Sequence, residues 1–244
     1  MDTFVNNLAE QRIGEIVAQN YHTAGIFQQN GIDFCCGGGI TLSKACEKKS
    51  KNLADIAQQL TKVLNSPADS SQNFGDWSPS FLIDYIENVH HSFVRTKIEE
   101  IGFFATKVAR VHEVSHPENI DILDAFTELS IEMKNHMESE EQIVFPLIKK
   151  IQHLIDSNQT VPNELLKEFS EQVEQMEDEH EGAGNLMKKI RTLSNDYTPP
   201  DDACTTYRIL YQNLEGFEQD LHKHVHLENN ILFKKAENLL VKFE

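Results

Sequence analysis

Four long stretches of this chain, about 79 to 113, 121 to 153, 163 to 194 and 201 to 241, carry apolar residues at alternating steps of three and four. That spacing puts side chains on one face of an α-helix. The breaks between them hold His116-Pro117-Glu118-Asn119, Asp156-Ser157-Asn158 with Pro162, and Thr198-Pro199-Pro200-Asp201, all turn-forming runs. No stretch shows the period-two alternation of a half-buried strand. Four helices of similar length on short loops predict an all-α fold, an up-down-up-down four-helix bundle over 77–244.

Each seam is interrupted by residues that do not belong in an apolar core. The second runs Ile122, Phe126, Leu129, Met133, His136, Glu140, Ile143, Leu147, and the fourth runs Phe217, Leu221, His224, Glu228, Ile231. The third runs Phe169, Val173, Met176, His180, Ala183, Met187, Ile190. In the first, His91 aligns with Val94, Ile98, Ile101, Ala105 and Val108, whereas its neighbour His90 aligns with Ile83, Ile86, Val94 and Ile101. Periodicity does not choose between the two. His91, His136, His180 and His224 recur at intervals of 45, 44 and 44 residues, so antiparallel helices of similar length bring them to one level.

A histidine and a glutamate four apart share a helix face about one turn apart, close enough to grip one metal ion. A lone pair of this kind is weak evidence, since such pairs are common on helix surfaces, and a single core histidine is more often just hydrogen-bonded. Two such pairs plus two further histidines, one set per helix and all within apolar seams, are another matter. Buried unpaired charges are very costly, and shared metal satisfies all of these groups. Four nitrogens and two carboxylates suit redox-active iron or manganese better than structural zinc. Six ligands are too many for one ion with open positions, and fit two ions that share both carboxylates as bridges.

Among the neighbours, Glu132 lies one turn before His136 on the same face and is a candidate to orient a ligand or to line a path for iron or protons. Glu179, adjacent to His180, is a second candidate for that role, set against a solvated acidic face from Glu174 to Glu181. Glu138 and Glu141 point away from the face of His136. His222 and His226 fall off the His224 seam and read as surface or ligand-orienting residues. His22, His112, His116 and His153 have no partner pattern.

The first third of the chain reads as a separate small helical module over 1–65. Leu8, Ile13, Ile16, Val17, Ala24, Ile26 and Phe27 predict one or two short helices ending at Gly31, Thr41 is an N-cap for a helix through Cys46, and Leu53 to Leu64 forms another. Polar, proline-bearing residues over 66–76 have the composition of a linker. The module carries Cys35 and Cys36 in a turn-forming run, Ile32 to Thr41. One reading is a pair of small residues that fit a tight turn. The other is reactive thiols, with a pKa lowered by glycine amides and the following helix N-terminus.

The net charge of −17, from 22 basic and 39 acidic residues, argues against nucleic acid and anionic membrane surfaces as partners. The first residues lack the basic and apolar regions of a signal peptide, and no apolar run reaches the roughly 20 residues of a membrane span, so the expected location is the cytoplasm. The four cysteines show no framework of spacings and are expected as free thiols.

With these motifs the sequence resembles the hemerythrin-like di-iron proteins, and more closely the repair-of-iron-centres family, over nearly its whole length. The resemblance rests on Asp33-Phe34-Cys35-Cys36-Gly37-Gly38, on His136 to Glu140 followed by Glu141-Gln142-Ile143-Val144-Phe145-Pro146, on Glu179-His180-Glu181, and on His224 to Glu228 followed by Asn229-Asn230. It implies His91, His136, Glu140, His180, His224 and Glu228 as ligands of two iron ions in a non-haem centre bridged by oxo and carboxylate groups, and so favours His91 over His90. It also implies a stress-response protein that repairs iron-sulfur clusters damaged by nitric oxide or oxidants, by iron donation, by reduction of nitric oxide to nitrous oxide, or both. Damaged iron-sulfur proteins are then the clients, nitric oxide the small-molecule ligand, and an electron donor a further partner, while a homodimer is one assembly the sequence leaves open.

Oxygen-carrying hemerythrins place a further histidine four residues after the third-helix one, where this chain has Gly184. A site with one nitrogen fewer suits reaction or iron release better than guarded oxygen carriage. The competing expectation is a sensor or carrier of oxygen or nitric oxide without turnover. Ferritin-type storage is disfavoured because its Glu-x-x-His spacing is absent.

Overall fold

The computed structural model describes residues 7–65 and 74–241, and among them there is no strand, only an isolated antiparallel bridge between Arg12 and Thr41. Most of the expected linker, 66–73, lies outside the described residues. The chain divides into two compact units, Met1–Leu82 with Val225–Glu244, and Ile83–His224. That division falls inside the last long helix, between His224 and Val225.

The first unit contains α1 (Ile13–Gln19), α2 (Ala24–Gln29), α3 (Leu42–Lys48) and α4 (Leu53–Leu64). Thr41 caps α3 by accepting from the Lys44 N–H, and Asn52 caps α4 by accepting from the Ala54 N–H, each satisfying a donor that the helix itself leaves open. Ile13, Ile16, Phe27, Leu42, Ile56 and Leu60 are fully buried. Fully burying such a side chain is worth roughly 1.5–3 kcal/mol, so this short segment can hold a core of its own.

The end of the chain belongs to the same unit. Asn230 donates from Nδ2 to the carbonyl oxygens of Phe34 and Cys35, at 3.4 and 3.1 Å, and so clamps the cysteine turn. Gly14 and Gly38 make that approach possible, because a Cβ on either would come within 1.9 and 2.7 Å of Asn230 Oδ1. His226, expected at the surface or beside a ligand, is instead 0 % exposed, with the rings of Tyr21 and Phe34 each 5.9 Å away. It escaped periodicity because it faces away from the His224 seam into a different core.

The second unit takes in the end of α5 (Pro79–Tyr85), then α6 (Ser92–His112), α7 (Glu118–Ser139), α8 (Phe145–Asp156), α9 (Asn163–Leu193) and most of α10 (Thr205–Leu227), while the last residues of α10 and α11 (Phe233–Val241) belong to the first. These compose the four-helix bundle, because π-helical turns join three pairs into long helices: Ile86–His91, Glu140–Val144 and Glu228–Leu232. A π-turn inserts one residue and shifts the buried face by one position. Thus Ile143, expected in the seam, is 44 % exposed, and Val144 takes its place at 0 %. The turn at Ile86–His91 likewise buries both His90 and His91, at 1 % and 0 %. The two seams that periodicity could not choose between are one seam before the turn and one after it.

Candidate metal centre

Six side chains from four helices meet inside apolar surroundings, none of them more than 3 % exposed: His91, His136, Glu140, His180, His224 and Glu228. Their ligand atoms form two overlapping groups. His91, Glu140, His224 and Glu228 make one, and His136, Glu140, His180 and Glu228 the other, with the atoms of each group within 4.8 Å of one another. Each group has two imidazoles, and both groups use the same two carboxylates. Glu228 follows His224 by one turn of unbroken helix, so the helix that places the histidine also places the carboxylate.

Hydrogen bonds on the outer ring nitrogens turn the inner ones toward the common volume. His91 Nδ1 lies 2.6 Å from Glu141 Oε1, and His136 Nδ1 lies 2.8 Å from Glu179 Oε2. Burial works against the charge on Glu141, yet hydrogen bonds from His91 and Arg95 hold its pKa below the usual carboxylate value. The hydrogen bond from His136 holds that of Glu179 down, against partial burial, with help from Gln175. Ionised carboxylates on Nδ1 fix the N–H there, so each Nε2 presents a lone pair. Those lone pairs converge: His91 Nε2 and His136 Nε2 each lie 3.3 Å from Glu140 Oε2, and His136 Nε2 lies 3.1 Å from His180 Nε2. A cation between them, or an Nε2–H on His180 donating to His136, reconciles atoms this close. The donor set therefore fits a metal, and imidazoles held by carboxylates on the far nitrogen are how metal sites usually orient their ligands.

The neighbours sort differently from what periodicity suggests. Glu141 does point away from the face of His136, but it sits in the π-turn and reaches His91 on the adjacent helix, and Arg95 Nη2 holds both its oxygens at 2.8 Å. A turn frame shifted by one residue gave no sequence signal for that contact. Glu179, the candidate beside His180, holds His136 instead. Glu132 is exposed and joins neither group; partial desolvation, then the charges of Glu128 and Glu179, raise its pKa. His90 joins neither group either. Its Nδ1 lies 2.9 Å from Asp220 Oδ1 and its ring stacks on His224 at 5.6 Å, so it backs a ligand.

The cysteine turn departs from expectation in its electrostatics. All four cysteines are free, with Cys35 buried and Cys36 half-buried. The pKa of Cys35 is pushed well up, first by its hydrogen bond with Cys36, then by burial and by the charges of Cys36 and Asp33. The lowered value expected from glycine amides and a helix N-terminus is absent for Cys35, because α3 begins only at Leu42 and an acidic side chain is the nearer influence.

A bundle of this kind with two imidazole pairs around shared carboxylates defines a hemerythrin-type protein. Residues 82–236 match the hemerythrin HHE cation binding domain, and residues 9–64 match a domain described as of unknown function (DUF542). Relatives extend the match over almost the whole chain. The probable iron-sulfur cluster repair protein of Haemophilus influenzae is 34 % identical across 95 % of this chain and 99 % of its own. The iron-sulfur cluster repair protein ScdA of Staphylococcus haemolyticus is 32 % identical across 93 % and 97 %, and YtfE of Pectobacterium atrosepticum is 33 % identical across 93 % and 96 %. The chain belongs to this iron-sulfur cluster repair family of hemerythrin-domain proteins. No helix among the described residues is long and apolar enough to cross a membrane.

Proposed function

We propose that this protein holds two iron ions in the His/Glu centre and acts in the cytoplasm to restore iron-sulfur clusters damaged by nitric oxide or oxidants. The observation that carries the reading is the overlap of the two ligand groups on Glu140 and Glu228. Carboxylates used by both groups are what a pair of bridged ions requires, and the relatives named as cluster repair proteins supply the class of client. When bound, a ferrous pair supplies two electrons and adjacent open positions for reducing two nitric oxide molecules, with two protons, to nitrous oxide and water.

The chain's own residues set the terms of that chemistry. Glu141 and Glu179 hold the rings of His91 and His136 with Nε2 inward. The apolar seams keep bulk water from the site. Gly184 offers no side-chain ligand, so the His136 and His180 group has one nitrogen donor fewer than an oxygen carrier's, which suits reaction or release of iron as cargo. Cys35 and Cys36 are assigned as a relay for iron, nitric oxide or electrons, with an external electron donor renewing the ferrous state.

Iron analysis after anaerobic reconstitution tests the premise: about two ions per chain are expected, as in di-iron carboxylate bundles. Loss of that iron is expected when His136 and His224 are both replaced by alanine, and unchanged iron refutes the centre. Recovery of a purified iron-sulfur enzyme inactivated by nitric oxide then tests repair. Nitrous oxide released from the reduced protein supports the reductive route, whereas a stable nitrosyl adduct without repair or turnover supports a sensor or carrier.

A further inference from the structure

Outside the His/Glu centre, one other cluster among the described residues gathers metal-ligating atoms within 4.8 Å of one another: Asp33, Cys35 and Cys36. Cys35 Sγ lies 3.2 Å from Asp33 Oδ1 and 4.0 Å from Cys36 Sγ. Two thiolates at about 2.3 Å from a tetrahedral ion stand about 3.8 Å apart, and a thiolate and a carboxylate oxygen about 3.5 Å apart. The observed separations bracket those values, so small side-chain rotations close the site.

We propose that Asp33, Cys35 and Cys36 form a separate mononuclear site for a thiophilic divalent cation of the ferrous or zinc class. The turn that carries the three residues is held independently of any ion. Asp33 Oδ1 accepts from the Cys35 N–H at 2.9 Å, and Asn230 fixes the carbonyls of Phe34 and Cys35. The cluster also runs from inside to outside: Cys35 is buried, Cys36 half-buried and Asp33 exposed. An ion held there has protein on one side and an open coordination position on the other, which suits transfer better than permanent structural binding. Two sulfurs and one oxygen also favour a softer ion than the imidazole and carboxylate set of the centre does.

Binding forms two metal–sulfur bonds and releases two thiol protons to solvent, so it tightens as pH rises. The hydrogen bond with Cys36, burial and neighbouring negative charge disfavour a bare Cys35 thiolate, and a divalent cation offsets the last two. Use of the site for iron in transit rests on the repair function proposed above; the existence of the site does not.

The test titrates the full-length, reduced protein with Co2+ in the absence of oxygen. A near-ultraviolet thiolate-to-cobalt band is expected to saturate at one ion per chain, and the His/Glu centre cannot produce it because it has no sulfur. The band should vanish in a Cys35→Ser/Cys36→Ser variant, weaken at least tenfold in affinity in Asp33→Asn, and stay unchanged in Cys204→Ser, which alters an exposed thiol elsewhere. No band, or a band that survives the double substitution, overturns the proposal. Should the double variant fail to fold, alkylation of Cys36 by iodoacetamide in the unmodified protein decides instead. Zn2+ is expected to slow it at least tenfold, and equal labelling with and without Zn2+ overturns the site. Neither readout depends on repair activity or on the iron content of the His/Glu centre.

Discussion

At the residue scale, the buried histidines divide by what their nitrogens face. Six side chains turn lone pairs or carboxylate oxygens toward a common volume, whereas His226 sits between Tyr21 and Phe34 with neither ring nitrogen hydrogen-bonded among the described residues. Burial lowers its pKa to about 3, so the folded protein keeps it neutral where an unfolded chain, titrating near pH 6.5, takes up a proton. Above pH 6.5 both states are neutral and His226 costs nothing in this respect. As pH falls from there toward 3, only the unfolded state gains the proton, and stability declines by up to about 1.4 kcal/mol per pH unit. A His226→Leu variant of the metal-free protein should therefore show a shallower loss of stability between pH 6.5 and 3 in urea unfolding. An unchanged slope means that the imidazole is already protonated or solvated in the fold.

At the element scale, His91, Glu140 and Glu228 each sit in a π-turn. Glu140 and Glu228 each open one, and in both the first N–H of the next helix, Phe145 or Phe233, donates back five residues to the carbonyl of that same glutamate. The echo of His136 and Glu140 in His224 and Glu228 thus extends to the backbone. At the far end of α9 a different device joins elements: Arg191 Nε donates to both oxygens of Glu218 on α10 at 3.1 and 3.0 Å, and Nη2 donates to the same carboxylate. Glu218 is only 3 % exposed, and Arg191 is the cation that faces it. Replacing Arg191 by methionine keeps much of the packing but leaves a buried carboxylate uncompensated, with an expected loss of about 3 kcal/mol in chemical denaturation. A loss below about 1 kcal/mol, the range of an exposed ion pair, shows that water reaches Glu218.

At the scale of the whole molecule, a metal held by the buried His/Glu cluster binds the folded chain and not the unfolded one, so it adds to the stability that the apolar seams supply. An ion present at a hundred times its dissociation constant adds about 2.7 kcal/mol to the stability of the folded state. For a chain of this size that corresponds to roughly 5–10 °C in melting temperature. Calorimetry on iron-loaded and chelated protein should show a drop of that order. Equal melting temperatures mean that the six groups are neutralised by protons and that iron is not held there.

Local pattern alone identifies the helices and most of the residues that meet in the buried His/Glu cluster. Apolar residues at steps of three and four can bury only one face of a helix, and polar residues inside such a face need one another. His136, Glu140, His180, His224 and Glu228 were legible for that reason, as were the capped helices beginning after Thr41 and at Leu53. Periodicity assumes 3.6 residues per turn, and it fails where a π-turn adds one. Only the tertiary structure could show that His90 and His91 are both buried, that Val144 replaces Ile143 in the core, and that Glu141 reaches His91 from a neighbouring helix. The same limit applies to His226 and Asn230, whose partners, Tyr21, Phe34 and Cys35, lie 192 to 205 residues away along the chain. No local pattern encodes a contact between segments so distant. It exists only because folding leaves each of these groups a single place to satisfy its burial or its hydrogen bonds.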